Sequence, residues 1–411
     1  MAAAETFVIV GAGLAGARAV ETLRKEGFEG RVVLIGSEPH RPYNRPPLSK
    51  DYLRGESKVA DVYEYDEDFA AANQVEQRLE TTVESIEVAH SRVVLDTGER
   101  IGYDRLLLTT GAEPRRLPGA DDSLSGIRYL RTIEDSDALR ASIEQANRVV
   151  VVGAGWIGCE VAASARELGR EVSIVAPIAV PLEEVLGPEI GAIYRDIHTE
   201  HGVDLRMDTA VEGFVGSGGT VEGVRTADGD VIPGDLVVVG IGVRPRTQLA
   251  EQAGLAIDNG VVTDEFLATS APGIYAAGDI ASVWHPFYRT QIRVEHWATA
   301  RHQGVAAAKN MMGTPTPYER IPYFFSDQYD TAMEYSGYAP KWDQVVFRGD
   351  VSGWKFVAFW LDQGRVVAGL SLNVPKTTKP VTALIHSREL ADVGRLTDAS
   401  IPLADLVPSE S

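Results

Sequence analysis

The chain has 411 residues, of which 44% are hydrophobic and 24% are charged, values that are ordinary for a globular protein of two or three domains. Its net charge of −20 disfavours nucleic acid and anionic membranes as partners, because both bind basic surfaces. No apolar run is long enough to span a bilayer, and residues 1–6 lead directly into a predicted strand, which leaves no room for a signal peptide. We therefore expect a cytoplasmic protein.

The chain contains a single cysteine, Cys159, so neither an intramolecular disulfide nor a redox-active cysteine pair can form. This excludes a disulfide reductase or peroxidase that works through a protein dithiol. Cys159 lies at the start of a predicted helix, where a small buried thiol is the expected role. The eight histidines show no zinc-type spacing with cysteine or carboxylates, so we expect no metal site.

An apolar run followed by Gly-x-Gly-x-x-Gly occurs twice, at residues 8–16 and at residues 149–158. Each run predicts a buried parallel strand that passes through a glycine turn into a helix. The glycines let the turn close and let backbone N–H groups approach a pyrophosphate at the helix N-terminus. One such motif is a weak signal, whereas two in the same context predict a protein that binds two dinucleotides and moves electrons between them.

In a dinucleotide-binding fold, an acidic residue after the second strand binds a ribose hydroxyl. In the first unit this residue is Glu38, although a solvated loop glutamate would give the same pattern. In the second unit the corresponding strand, residues 172–175, is followed by Ala176 and Pro177, so the acid is missing. No arginine follows that could hold a 2′-phosphate, and NADH is therefore only mildly preferred over NADPH.

Residues 41–50, Arg-Pro-Tyr-Asn-Arg-Pro-Pro-Leu-Ser-Lys, are dense in proline and cations. Prolines make a loop rigid at low entropic cost, so Arg45 and Lys50 would be held in place to meet anionic or electron-rich cofactor atoms. An ordinary surface turn is the alternative, and the first glycine motif nearby favours cofactor contact.

The order of the predicted elements indicates an α/β chain. Residues 113–119 are punctuated by proline and indicate a crossing between domains. The strand that ends in Gly278 and Asp279 would make the second domain an insertion in the first, if it rejoins the first sheet. Residues 318–411 lack a phosphate loop and predict a small sheet with a flanking helix. We predict two Rossmann-like dinucleotide-binding domains and a small α+β domain: the first domain at 1–112 and 241–318, the second at 113–240, and the C-terminal domain at 319–411.

Seven motifs occur together and in order, at residues 11–16, 45–50, 130–135, 153–160, 240–245, 275–279 and 326–330. Through this combination the chain resembles, nearly end to end, the FAD-dependent NADH:ferredoxin reductases of bacterial cytochrome P450 and aromatic-ring dioxygenase systems. The resemblance implies a fold like that of glutathione reductase, with FAD bound by the domain at 1–112 and 241–318 and NAD(P) bound by the domain at 113–240. It also implies that NADH delivers a hydride to FAD and that electrons then pass singly to a [2Fe–2S] ferredoxin, which supplies a cytochrome P450 or a ring-hydroxylating oxygenase.

The resemblance implies that Lys50 and Glu160 are catalytic and meet as an ion pair beside flavin N5. A cation there stabilises arriving electron density, and the carboxylate holds the ammonium in position. From the residues alone, each would be a surface charge or an ordinary helix residue. The residues predicted to contact FAD are Gly11, Gly13, Ala15, Gly16, Ser37, Glu38, Arg45, Lys50, Val83, Thr110, Gly111, Arg131, Gly278, Asp279 and Trp297. Those predicted to contact NAD are Gly153, Gly155, Ile157, Gly158, Glu160, Gly242 and Glu295.

Among these residues, the resemblance implies that Asp279 binds the ribityl–pyrophosphate region and Arg131 the pyrophosphate. Val83 would contact adenine through its backbone. Trp297 would lie near the isoalloxazine, although a core aromatic residue is the alternative.

The chain departs from the family pattern at three positions. Ser37 stands where an acid is frequent, which leaves Glu38 to bind the ribose. Ala176 replaces the usual acid on the NAD side. Phe325 stands where the motif usually has tryptophan, which weakens any stacking argument at the nicotinamide.

Two other functions stay open. A rubredoxin reductase would use identical flavin chemistry, and residues 293–296 resemble apoptosis-inducing factor, which suggests a redox-gated binding protein. The acidic composition stands against the second. For a ferredoxin reductase, we expect Arg289, Arg293 and Arg301 to form a local basic patch that docks an acidic ferredoxin. The alternative is that these arginines bind carboxylates of their own chain.

Overall fold

The computed structural model describes residues 5–117 and 124–407. Residues 1–4 of the predicted N-terminal segment and Pro118 and Gly119 of the predicted crossing lie outside the described residues. Within the two described stretches, no helix is long and apolar enough to cross a membrane. The chain divides into two compact units. The first comprises Met1–Arg45, Val59–Glu113 and Val243–Arg320, and the second comprises Pro46–Lys58, Pro114–Gly242 and Ile321–Ser411.

The first unit contains a five-stranded parallel sheet whose strands are mostly apolar on both faces, as is typical of a sheet covered on two sides. Its strand order is Ile274–Ala276, Arg105–Leu108, Thr6–Val10, Arg31–Ile35 and Val75–Arg78. The strand Ile274–Ala276 pairs in parallel with Arg105–Leu108, so the chain returns to this sheet after residue 242. This return is the condition under which we expected an inserted domain, and the exact domain bounds stay a prediction.

Two packed helices position the first glycine turn. Leu14–Lys25 follows the strand Thr6–Val10 and packs against Trp297–Met311. The two backbones approach closely because Gly304 has no side chain: a Cβ at Gly304 would lie 2.3 Å from the carbonyl oxygen of Ala15.

The first unit also contains shorter elements. Its further strands are Val83–Glu87, Arg92–Leu95, Arg100–Gly102, Val243–Pro245, Val261–Thr263, Ala281–His285 and Thr290–Ile292, with Ala112–Pro114 at its boundary. Its further helices are Val59–Val62, Phe69–Ala72 and Gln248–Gln252, and a 3-10 turn spans Val88–His90.

The second unit contains two five-stranded sheets. The parallel sheet has the order Asp204–Arg206, Glu171–Val175, Arg148–Val152, Leu236–Val239 and Ile127–Arg128. The antiparallel sheet, which falls in the predicted C-terminal domain, has the order Tyr323–Gln328, Thr331–Gly337, Arg365–Leu372, Lys355–Asp362 and Gln344–Asp350. A smaller antiparallel sheet consists of Val211–Ser217, Thr220–Thr226 and Val231–Pro233.

The helices of the second unit are Asp51–Arg54, Ile133–Gln145, Trp156–Glu167, Glu183–Glu200, Thr378–Ser387 and Val393–Thr397, with 3-10 turns at Pro46–Ser49 and Leu403–Leu406. The helix Glu183–Glu200 is interrupted at Gly187, which has a φ of +78° and precedes Pro188. Proline disfavours a helical conformation at the residue before it, and only glycine adopts this backbone conformation without strain.

Candidate active site

At two positions of the first turn, close packing within the protein requires glycine. Gly11 has a φ of +115°, and a Cβ there would lie 2.2 Å from the carbonyl oxygen of Thr109. A Cβ at Gly16 would lie 2.2 Å from the carbonyl oxygen of Gly11, because the helix begins directly against the turn. Both positions therefore exclude any side chain for reasons of packing.

The middle glycine of the same turn, Gly13, is different. Its backbone is extended, with a φ of −83° that any residue adopts, and no protein atom lies within 4 Å of the position its Cβ would take. Gly13 is also the N-cap of the helix Leu14–Lys25 and supplies no side-chain cap to the first N–H groups. Open space in front of free helix N–H groups fits the close approach of a dinucleotide pyrophosphate.

The second turn repeats these features. Gly153 has a φ of +106°, and a Cβ there would lie 2.4 Å from the carbonyl oxygen of Gly240. A Cβ at Gly158 would lie 2.1 Å from the carbonyl oxygen of Gly153. Gly155, the N-cap of Trp156–Glu167, has an extended backbone and no atom within 4 Å of its Cβ position. The residues of both turns therefore fit one dinucleotide each.

Glu38 lies after the strand Arg31–Ile35 and is half-buried in a small polar cluster. Arg45 Nη2 is 2.7 Å from one Glu38 oxygen, the hydroxyl of Tyr43 donates to the other, and Arg45 Nη1 lies 2.9 Å from that hydroxyl. Burial opposes ionisation of Glu38, but the charge of Arg45 and the two hydrogen bonds outweigh it and hold its pKa below the usual range. Glu38 is thus an ionised acceptor, as a ribose hydroxyl requires.

The structure brings several predicted FAD residues close to the first turn. A Cβ at Gly278 would lie 3.2 Å from the Cβ of Ala15, and Gly278 N–H donates to Gln303 at 2.8 Å. Gly111 has a φ of +69°, and the hydroxyl of neighbouring Thr110 donates to Arg246 O at 3.1 Å.

The remaining predicted FAD residues lie in other surroundings. Asp279 is half-buried, Ser37 is exposed, and buried Val83 pairs with Leu95 in a separate small sheet. Trp297 Nε1 donates to Asn44 Oδ1 at 2.6 Å. Arg131 belongs to the second unit, where its backbone N–H donates to Asp135 at the start of the helix Ile133–Gln145.

Lys50 and Glu160 meet within the second unit. Lys50 follows the 3-10 turn Pro46–Ser49, and Glu160 lies early in the helix Trp156–Glu167. The Lys50 Nζ is 2.7 Å from Glu160 Oε2, and the two side chains are 11% and 6% exposed. An ion pair this buried persists only where further hydrogen bonds satisfy the charges. Its role at a cofactor stays a prediction.

Cys159, next to Glu160, is fully buried, and its thiol donates to the carbonyl oxygen of Ala154 at 3.5 Å. Burial, followed by the negative charge of Glu160, raises the pKa of the thiol well above its usual value. Such a thiol is unreactive, because only the thiolate is nucleophilic.

On the predicted NAD side, Ala176 is 2% exposed and its N–H donates to Arg206 O, so it offers no group to a ribose. Ile157 is 42% exposed beside the second turn, and Gly242 has a φ of +89°. Glu295, predicted to contact NAD, lies in the first unit and is bound by Arg293.

An acidic residue that the sequence reasoning missed lies close to the second turn. The N–H of Leu182 donates to Ala154 O at 2.9 Å, which brings the next residue, Glu183, beside the turn. The Glu183 carboxylate accepts the N–H of Ala179 at 2.8 Å and that of Val180 at 3.4 Å.

The expected docking arginines differ in their surroundings. The side chain of Arg293 is 9% exposed and pairs with Glu295, so the expectation that Arg293 docks a partner is wrong and the alternative reading holds for it. The Arg301 guanidinium stacks over Trp297, 5.1 Å from the ring centroid. Arg289 is exposed in the turn between the strands Ala281–His285 and Thr290–Ile292.

The sequence reasoning also missed residues that act only through tertiary contacts. The hydroxyl of Thr109 donates to Gly11 O at 2.8 Å. Ser49 and Ser326 donate to Glu160 at 2.5 and 2.6 Å. For the two serines, the available signal was their position inside the motifs at residues 45–50 and 326–330.

Comparison with known proteins identifies two families along the chain. Residues 5–304 match the family described as pyridine nucleotide-disulphide oxidoreductase, and residues 323–407 match the family described as reductase C-terminal. The chain is 37% identical to putidaredoxin reductase of Pseudomonas putida, over 99% of this chain and 98% of that protein. It is also 37% identical to the anthranilate 1,2-dioxygenase system ferredoxin–NAD(+) reductase component of Burkholderia cepacia, over 97% and 98%.

One solved structure also matches this chain over nearly its whole length. The crystal structure of the covalent putidaredoxin reductase–putidaredoxin complex matches with a TM-score of 0.95 and 36% identity, covering 98% of each chain. The predicted family and the predicted fold class are confirmed. The only cysteine of this chain is buried Cys159, so the disulphide in the family's name has no counterpart in this sequence. The chain belongs to the pyridine nucleotide-disulphide oxidoreductase family and carries a reductase C-terminal domain.

Proposed function

We propose that the protein is a cytoplasmic, FAD-dependent NADH:ferredoxin reductase that supplies a [2Fe–2S] ferredoxin of a cytochrome P450 or ring-hydroxylating oxygenase. One observation carries the proposal: Gly13 and Gly155 both lack a side chain where neither backbone conformation nor packing requires it. Each therefore leaves room for a ligand, and a chain with two such turns binds two dinucleotides. The names of the relatives support the partner, because putidaredoxin reductase was crystallised in complex with putidaredoxin.

We assign the cofactors to the turns as the resemblance to ferredoxin reductases implies. FAD belongs to the first turn, where Glu38 supplies an ionised acceptor, within the proposed FAD-binding segments 1–112 and 241–318. NADH belongs to the second turn, within residues 113–240. Bound FAD would supply the conversion of a two-electron hydride into the single electrons that an iron–sulfur cluster accepts.

Lys50 and Glu160 are the residues we propose to act in flavin reduction. The buried ammonium of Lys50 is a fixed positive charge, and Glu160 restricts its position at 2.7 Å. A preorganised cation favours negative charge that develops nearby, because its orientation costs nothing at the moment of reaction. Electrons leave without a protein dithiol, since Cys159 is buried and has a raised pKa.

The test is anaerobic reduction of the purified, FAD-reconstituted protein by NADH, followed by turnover with a [2Fe–2S] ferredoxin and, in parallel, with a rubredoxin. We expect rapid bleaching of the flavin absorbance and faster turnover with the ferredoxin. A protein that takes up no FAD would refute the proposal. Preferred turnover with rubredoxin would support the rubredoxin reductase, and a slow, long-lived charge-transfer complex without turnover would support the redox-gated binding protein.

A further inference from the structure

The carboxylate of Glu160 receives more than the Lys50 ion pair. Its Oε2 accepts from Lys50 Nζ at 2.7 Å and from the Ser49 hydroxyl at 2.5 Å. Its Oε1 accepts from the Ser326 hydroxyl at 2.6 Å. Glu160 is 5% exposed, so protein donors replace most of the water that would otherwise solvate the charge.

Ser326 is the donor that comes from the predicted C-terminal domain, on the strand Tyr323–Gln328. It is 1% exposed and also accepts a hydrogen bond from Gln328 Nε2 at 3.2 Å. A serine hydroxyl has one proton to donate. Because Gln328 donates to Ser326, the orientation that satisfies both contacts directs that proton to Glu160 Oε1.

We propose that Ser326 is a positioning residue: its hydroxyl holds the Glu160 carboxylate toward Lys50. The proposal rests on the proposed function, in which the Lys50–Glu160 pair serves flavin reduction. Lys50 and Ser49 both bind Oε2, so without Ser326 the buried Oε1 would lose the donor the structure gives it. Removing one partner of a buried hydrogen bond leaves the other unsatisfied, so the carboxylate would no longer be fixed in its orientation toward Lys50.

Other titratable groups act on the same carboxylate. Cys159 lies beside Glu160 on the same helix, Tyr194 lies on the helix Glu183–Glu200, and Asp327 follows Ser326. Burial raises the pKa of Cys159 and of Tyr194, so both are neutral at neutral pH. Asp327 interacts electrostatically with both Lys50 and Glu160. Partial removal of its carboxyl from water raises the pKa of Asp327, the charge of Lys50 opposes that rise, and the charge of Glu160 adds to it.

The test is the substitution Ser326→Ala in the full chain, with Ser136→Ala as the matched control. Ser136 is also a fully buried serine that holds the 46–50 segment, but it donates to the carbonyl oxygen of Leu48 at 2.8 Å. The surroundings of the Glu160 carboxylate are read, at one fixed pH, from its carboxyl carbon resonance in protein labelled with ¹³C-glutamate, and Glu160→Gln identifies the signal.

We expect Ser326→Ala to shift this resonance, because Oε1 of Glu160 loses the hydrogen bond from Ser326. Ser136→Ala should leave it unchanged, and Ser326→Thr, which keeps the hydroxyl, should restore the wild-type value. Flavin reduction by NADH should be slower in Ser326→Ala and should return to the wild-type rate in Ser326→Thr. If Ser326→Ala fails to fold, Ser326→Cys, with a weaker donor of similar size, should give a smaller shift in the same direction.

An unchanged Glu160 resonance in a folded Ser326→Ala variant would overturn the proposal, as would an equal shift in Ser136→Ala. These outcomes are distinguishable from failure of the proposed function. If wild-type flavin is not reduced by NADH, the proposed function fails, whereas the resonance of Glu160 still reports whether Ser326 positions its carboxylate.

Discussion

The middle glycines of the two turns offer a prediction that separates folding from cofactor binding. In Gly13→Ala the added methyl meets no protein atom within 4 Å, and a φ of −83° suits alanine. Replacing glycine by alanine in a compatible conformation stabilises by about 0.4–1 kcal/mol, and the poorer N-cap preference of alanine costs about 1 kcal/mol. The two effects nearly cancel, so the stability of the cofactor-free protein should change by less than about 1 kcal/mol.

Gly11→Ala is the matched contrast. Its methyl would lie 2.2 Å from Thr109 O, on a backbone with a φ of +115°. Steric overlap in a packed region costs about 1–3 kcal/mol, and an unsuitable backbone conformation costs about 1–3 kcal/mol more. Gly11→Ala should therefore destabilise the protein by roughly 2–6 kcal/mol, even before any cofactor is added.

Binding should separate the same variants. The methyl of Gly13→Ala enters the space that we assign to the FAD pyrophosphate, and an overlap of about 1–3 kcal/mol weakens FAD binding by roughly 5- to 150-fold. Gly155→Ala should weaken NADH binding by a similar factor and leave the FAD content unchanged. Thermal shift of stripped protein, FAD titration by flavin fluorescence and the NADH dependence of flavin reduction measure the three quantities. Wild-type FAD affinity in Gly13→Ala would refute the reasoning, as would loss of the same cofactor in both variants.

Four further outcomes are expected. Lys50→Ala and Glu160→Ala should each slow flavin reduction in stopped flow. The double variant should lose less activation free energy than the two single variants together, because either change already breaks the pair, and strict additivity would count against their coupling. Ala176→Glu should increase the ratio of kcat/KM for NADH over NADPH by charge repulsion of the 2′-phosphate, and an unchanged ratio would place the adenosine ribose elsewhere. Arg289→Glu should raise the KM for ferredoxin without slowing reduction by NADH, and an unaltered KM would exclude Arg289 from docking. Burial lowers the pKa of His198 to about 4, below its value of about 6.5 in the unfolded chain. The unfolded chain therefore binds the proton first, and stability is lost as the pH falls from about 6.5 to 4. His198→Asn should flatten that part of the curve of melting temperature against pH, and an unaltered slope would argue against this burial effect.

The elements that sequence predicted well are those governed by local rules. The turns at Gly11 and Gly153 follow from the left-handed backbone and close packing that only glycine permits, and their spacing is visible within one motif. The apolar runs before them form parallel strands, as buried strands with both faces covered require. Such features need no knowledge of distant residues.

Charged residues were harder to assign, because charge alone does not tell a paired side chain from a free one. Arg289, Arg293 and Arg301 are close in sequence, yet Arg293 is paired with Glu295 while Arg289 is exposed. Ala176 shows the reverse problem. The expected acid is absent at that position, but the hydrogen bond from Leu182 to Ala154 returns the chain to the turn and brings Glu183 beside it. Neither the pairing of Arg293 nor the position of Glu183 follows from the spacing of residues in the sequence, since both depend on where a loop closes.

The serine that binds Glu160 shows a signal that sequence reasoning could have used. On the strand Tyr323–Gln328, Ser326 and Gln328 are buried and Asp327 between them is exposed, as the alternation of a strand requires. Two polar residues therefore occupy the buried face of one strand, and a buried polar group needs a hydrogen-bonding partner. The pattern indicates that a polar partner must exist on a neighbouring element, although it cannot name Glu160, which is 166 residues away. A segment without a phosphate loop thus takes part in the candidate site through the polar residues on its buried face.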